Sequence, residues 1–139
     1  MMKYIDIRAI VLATLAVFGI DFITQIALFG AFTDLPANAT REQVSAAAAA
    51  LAANPGFLRT ALILGTASTV VGGFLVARIA RRLPYFNALA YGVVGMVIGT
   101  VLSATGDVEF PLWFRVVGIG VTVPASLLGA YFGRRPVSQ

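Results

Sequence analysis

Four apolar runs, at about residues 9–32, 57–80, 83–104 and 110–133, fill most of this 139-residue chain. A hydrocarbon core of about 30 Å takes about 20 helical residues to cross, so every run is long enough. The pattern predicts an all-α, polytopic membrane protein with four transmembrane helices in an antiparallel bundle, forming one domain over residues 1–139. Composition agrees: 59% of residues are hydrophobic and 12% charged, with a mean hydropathy of +0.90. The charged share is roughly half that of an ordinary soluble domain. Only tails and connections lie outside the runs, so any function is expected in the bundle or at its rims.

The net charge of +4 would suggest nucleic acid in a soluble protein, but its distribution points elsewhere. Lys3 and Arg8 precede the first run, Arg78, Arg81 and Arg82 close the second, and Arg134 and Arg135 close the fourth. Asp34, Arg41 and Glu42 lie on the first connection, and Asp107 and Glu109 on the third. Basic residues are retained on the cytoplasmic side. The expectation is a multi-pass protein of a bacterial inner membrane with both termini cytoplasmic, its arginines anchoring helix ends in the bilayer and binding no nucleic acid. Lys3, Arg8 and the triplet Ala37-Asn38-Ala39 resemble parts of a signal peptide. The first run, however, exceeds the usual apolar stretch of about 7–15 residues and contains Asp21 and Gln25, so it reads as a retained helix.

Cysteine and histidine are absent, which excludes disulfides, histidine- or thiolate-held metals and thiol nucleophiles. There is no second intramembrane carboxylate, phosphate loop or serine–base pair. The expectation is a protein without catalytic residues, metal or cofactor.

The connections are unequal. Between the first two runs, Thr40-Arg41-Glu42-Gln43 has the form of a capping box, opening an alanine-rich segment that Asn54-Pro55-Gly56 stops. This predicts a short extracytoplasmic helix over about 41–53. The other two connections are tight, with Pro84 and Pro111 placed to start the third and fourth helices. Short connections make consecutive helices antiparallel neighbours.

Asp21 is the residue whose position most needs a function, because a charge near the bilayer midplane costs about 3 kcal/mol on insertion scales. It must face the bundle interior, a cavity or a partner, or carry a proton. Gln25 lies one turn further along the helix and Thr14 two turns back, giving a polar stripe with Thr24 beside it. Arg115 is the candidate counter-ion. It lies roughly 6 Å below the start of its helix, against roughly 16 Å for Asp21, so its depth suits Gln25 better. It can also snorkel outward beside Trp113, as Arg59 is expected to do from its own helix.

Small residues recur at four-residue spacing: Ser68/Gly72, Gly73/Ala77, Gly95/Gly99 and Ala125/Gly129/Gly133. Such ridges let helices approach closely in lipid, within the bundle or across a dimer face. Pro124, preceded by Gly118 and Gly120, predicts a kink in the fourth helix near the depth of Asp21. Thr69-Val70 and Arg81-Arg82 match Thr122-Val123 and Arg134-Arg135 at a common offset of 53 residues, a trace of an internal repeat.

The segment Gly72–Arg82, followed by Pro84, Gly92, Gly95 and Gly99, resembles small four-helix bacterial inner-membrane proteins of unknown function. These share a Gly-Gly pair, a basic turn and a glycine-rich next helix. The resemblance implies a fold and a location but no activity. In size the chain is also similar to small multidrug resistance transporters, which use an acid in their first helix; here the acid is Asp21 rather than Glu and the first loop is far longer.

Two functions follow as expectations. The first is a non-enzymatic role through helix association, as a homo-oligomer or an accessory subunit of a membrane complex. Its partners would be the lipid bilayer and either a second copy or another membrane protein. The alternative is a small cation- or proton-coupled transporter or channel with Asp21 as its protonatable site.

Overall fold

A computed structural model describes residues 4–80 and 82–134. Lys3, Arg81 and Arg135, part of the charge argument above, lie outside the described residues. Every regular element described is helical: α1 (Ile7–Phe32), α2 (Arg41–Ala52), α3 (Pro55–Ile79), α4 (Pro84–Thr105) and α5 (Leu112–Gly133). All but α2 are long and apolar enough to cross a membrane.

Local capping chemistry sets the helix bounds and moves several of them from their expected positions. The Asp6 carboxylate accepts from the Ala9 amide at 3.1 Å, so α1 opens at Ile7 rather than residue 9. The capping box of α2 is complete. The Gln43 amide donates to Thr40 Oγ1 at 3.3 Å, and the Thr40 amide to Gln43 Oε1 at 2.9 Å. Asn54, expected as a stop signal, also starts the next helix: its Oδ1 accepts from the Gly56 and Phe57 amides at 2.9 and 3.1 Å. With Pro55 in the first turn, α3 begins two residues before the expected 57. Pro84 opens α4 as anticipated, but Pro111 has an extended ψ of 142° and is the N-cap of α5, which begins at Leu112 rather than 110.

α3 is the hub, packing against α5, α1, α4 and α2. The Gly72–Gly73 pair makes this possible, since adjacent helical residues point about 100° apart and can serve two neighbours. A Cβ on Gly72 would collide with the Tyr91 hydroxyl of α4, and one on Gly73 with the Ser126 carbonyl of α5. From the other side, Gly129 fits against the Val70 carbonyl, and a Cβ on Gly133 would lie 2.5 Å from the Phe74 carbonyl oxygen. Backbone thus meets backbone along α3 and α5. Gly95 is looser, since a Cβ there would lie 3.1 Å from Thr122 Cγ2, and a Cβ on Gly99 would meet nothing within 4 Å. α5 runs as one continuous helix through Pro124, an exposed residue.

Two side-chain clusters mark the ends of the bundle. Leu28, Leu51, Phe57 and Leu58, with Phe29, Phe110 and Phe114 against them, join the end of α1, α2 and the starts of α3 and α5. Ala9, Ala13, Val17, Val76, Ala80 and Tyr91 join the start of α1, the end of α3 and the first half of α4.

Candidate functional site

The site grows out of a gradual roll of α1. Ala9, Ala13, Val17, Asp21 and Gln25 follow one another at four-residue steps, and each step turns about 40° around the helix. The ladder therefore leaves the interface as it climbs. Ala9 and Ala13 are 0% exposed and Val17 7%, Asp21 is partly buried, and Gln25 is exposed on the outer face. Thr14, seven residues before Asp21, falls within about 20° of it and stays on the same side.

Asp21 and Thr14 line a half-open cavity of about 200 Å³ between α1, α3, α4 and α5. Thr69 of α3, Tyr91 of α4 and Thr122 of α5 complete its polar lining, and Val17, Phe18, Ile98 and Leu102 give it mostly apolar walls. Ser68 flanks the carboxylate from α3. Thr69 and Thr122, one pair of the 53-residue repeat, face this same space. Their hydroxyls donate to the carbonyls one turn back, Gly65 and Gly118, each at 2.9 Å. With the protons committed to the helix, the oxygen lone pairs are left for the cavity. A carboxylate with two acceptor hydroxyls opposite is an arrangement for holding a cation or a proton.

The four residues expected to form one polar site are thus divided. Thr14 and Asp21 share the cavity and Gln25 turns away from it. Arg115 does not line it; the guanidinium side chain belongs to a second cavity of about 390 Å³ nearer the α4–α5 connection. The cause is the depth difference noted above, to which the roll of α1 adds a rotation. Gly95, Gly99, Leu102 and Thr122 are common to the walls of both cavities, so the two adjoin.

Four residues of consequence were not singled out from sequence. Tyr91, 6% exposed, joins the Asp21 cavity to the α3–α4 contact at Gly72. Thr69 and Thr122 drew notice only as repeat positions. Asn87, 0% exposed, ties the segment before α1 to the α3–α4 turn. An asparagine inside an apolar run was the available signal for the last.

Comparison of the chain with protein-family models, with curated proteins and with solved structures finds no match.

Proposed function

We propose that this is a non-enzymatic, multi-pass membrane protein that carries a proton or a monovalent cation on Asp21, as a small cation- or proton-coupled transporter or channel. The observation that carries the reading is the cavity: a partly buried carboxylate halfway along α1, faced by acceptor hydroxyls on two other helices. Ser68 of α3 flanks the carboxylate on one side, and the cavity leaves open volume on the other, more than a contact that only fastens two helices requires. The glycines that sequence offered as a dimer ridge are largely engaged inside the chain, at Gly72, Gly73, Gly129 and Gly133.

In this reading the helices alternate in direction within a bacterial inner membrane, both termini are cytoplasmic, and α2 lies on the extracytoplasmic side. The charge bias supports that orientation: Arg8, Arg78, Arg82 and Arg134 near one set of helix ends, Asp34, Glu42, Asp107 and Glu109 on the connections at the other. Arg134 lies 4.4 Å from the Tyr131 ring centroid and Arg78 5.6 Å from that of Phe74, the pairing expected of side chains at a lipid–water boundary.

The test is ion flux in proteoliposomes. Asp21→Asn abolishes it while the purified variant keeps its helical content and monodispersity; flux unchanged in that variant ends the proposal.

One observation favours association as a second role. Gln25 presents an amide on the lipid-facing side of α1, where a second helix would satisfy its hydrogen bonds. Native mass in mild detergent should then exceed the monomer and fall towards it in Gln25→Leu. A monomer under all conditions removes this role and leaves the first untouched.

A further inference from the structure

α4 and α5 are close at one end and apart at the other. A Cβ on Gly92 would lie 2.5 Å from Ser126 Oγ and 3.1 Å from Val123 Cα, and Ala88 clusters with Ala130. Towards the α4–α5 connection the two helices separate. A Cβ on Gly99 would meet nothing within 4 Å, and the nearest atom to one on Gly118 is Leu62 Cδ2 of α3, 3.6 Å away. The second cavity, of about 390 Å³, occupies the resulting cleft. Leu102, on its α4 wall, is 57% exposed, so the cleft opens sideways on the surface that a spanning helix turns to lipid. The third cavity, of about 320 Å³, adjoins it through Gly106, Val108, Phe110 and Arg115 and includes Glu109.

The space has two chemistries. Leu102, Phe114 and Ile119 make its inner part apolar, and Gly95 and Gly99 leave it open. Asp107, Glu109 and Arg115 line the mouth at the α4–α5 connection, charges of both signs with one negative in excess. Arg115 lies three residues past Leu112, where α5 begins, which is about 5 Å along the axis. Trp113, between them and 47% exposed, is the kind of side chain that sits at the boundary of lipid and water. A guanidinium at this depth reaches the headgroup phosphates while its stem stays among apolar groups. Among the described residues neither mouth carboxylate forms an ion pair with it.

We infer that the α4–α5 cleft binds one phospholipid with a zwitterionic headgroup, taken from the leaflet on the side of the α4–α5 connection. An apolar space open to the bilayer is filled by its surroundings, because bare walls forfeit dispersion contacts. An acyl chain is the apolar body always beside it. Water is the poorer occupant, since the inner part offers few of the polar partners that an ordered water needs. The mouth then selects the headgroup. The planar donor fork of Arg115 matches a phosphate. Asp107 and Glu109 attract the ammonium group of a zwitterionic head and repel a head that carries phosphate alone. One chain lies in the cleft and the other along the outer surface of the bundle. The site makes no use of Asp21 and stands apart from the role proposed for that residue, although Gly95, Gly99, Leu102 and Thr122 form a wall common to both cavities.

Native mass spectrometry of the full chain tests this, after equilibration in detergent with equal amounts of phosphatidylethanolamine and phosphatidylglycerol of identical acyl chains. The chain should retain one phosphatidylethanolamine, favoured about threefold or more over phosphatidylglycerol. Arg115→Gln should weaken that retention about fivefold or more, and Asp107→Asn combined with Glu109→Gln should erase or invert the preference. Gly99→Leu and Ile119→Phe narrow the cleft, so each should weaken retention of either lipid about fivefold or more. Gly19→Leu, on the outer face of α1 with nothing within 4 Å, is the control and should change nothing. Circular dichroism and monodispersity identify any variant that fails to fold, and the two cleft variants stand in for each other. Phosphatidylglycerol retained as well as phosphatidylethanolamine, or better, overturns the headgroup. A preference that survives the double variant overturns the part given to the carboxylates, and retention unchanged in Arg115→Gln overturns the phosphate contact. Retention intact in both folded cleft variants overturns the cleft as the seat. A lipid-free dimer that Gly99→Leu dissociates makes a second copy the occupant and ends the proposal. Each of these results is independent of flux through Asp21, so the two readings fail separately.

Discussion

Asn87 accepts a 2.6 Å hydrogen bond from the backbone amide of Asp6, a residue 81 positions earlier in the chain. The Asn87 amide group also donates to carbonyls on both sides of this junction, Tyr4 before α1 and Arg82 and Leu83 in the α3–α4 turn. One fully buried side chain therefore closes an end of the bundle where three segments meet. Asn87→Leu removes these side-chain bonds and takes the partner from the Asp6 amide and the Tyr4 and Arg82 carbonyls, while the Leu83 carbonyl keeps its bond from the backbone amide of residue 87. A buried unsatisfied group costs about 1–3 kcal/mol, so thermal unfolding in detergent should show a loss of at least that size. An unchanged melting temperature would mean that water or a rearranged turn replaces the cluster without penalty.

Glycine substitutions should sort by what lies opposite them. At Gly73 and Gly129 an added methyl group strikes a carbonyl of the facing helix, which cannot move without separating α3 from α5. Overpacking of this kind costs about 1–3 kcal/mol. At Gly99 and Gly19 the same change meets open space and gains helix propensity, about 0.5–1 kcal/mol. Melting temperatures of the four single Gly→Ala variants should therefore fall for the first pair and hold or rise for the second. A common response at all four positions would contradict the packing described for α3 and α5.

Spans and caps were legible in the sequence because both depend on information that lies along the chain. Apolar length is one-dimensional, and Thr40 and Gln43 find each other three residues apart. Asn54 was legible only in part: Asn-Pro-Gly ends one helix and opens the next with the same residues, and the direction in which Asn54 Oδ1 bonds decides the boundary. The site was harder. Gln25 and Thr14 look equivalent as neighbours of Asp21, yet each four-residue step rolls the α1 face about 40°, which carries Gln25 outward. Tyr91, Thr69 and Thr122 reach the same cavity from helices whose relative rotation no spacing rule supplies. Asn87 has partners 81 and 83 residues away, beyond any local pattern.

The capping box gives a prediction confined to α2. Thr40→Ala removes the acceptor for the Gln43 amide and should cost about 1 kcal/mol, mostly as fraying of the first turn. Hydrogen exchange of the amides at 42–44 should accelerate about fivefold, since RT is about 0.6 kcal/mol and the opening is local. Exchange within α3 should stay as it was, because α2 reaches the bundle through Leu51 and Ala52 at its far end. Acceleration spreading into α3 would show that the two helices unfold as one unit.

Competition between protons and cations for Asp21 makes the pH dependence calculable in sign. Protonation removes the charge that attracts the ligand, so cation affinity must fall as pH falls, approaching about tenfold per pH unit once the carboxyl is mostly protonated. The same linkage works in reverse: over that range each bound cation displaces a proton, detectable as a binding enthalpy that varies with the ionisation enthalpy of the buffer. Tyr91 is the other titratable side chain on the cavity wall, and a phenol is uncharged across the acidic range, so it adds no opposing slope there. In Asp21→Asn the residual affinity should be flat with pH and the enthalpy independent of buffer. A slope that persists in this variant would place the titrating group at a carboxylate other than Asp21 and would detach cation binding from the centre of α1.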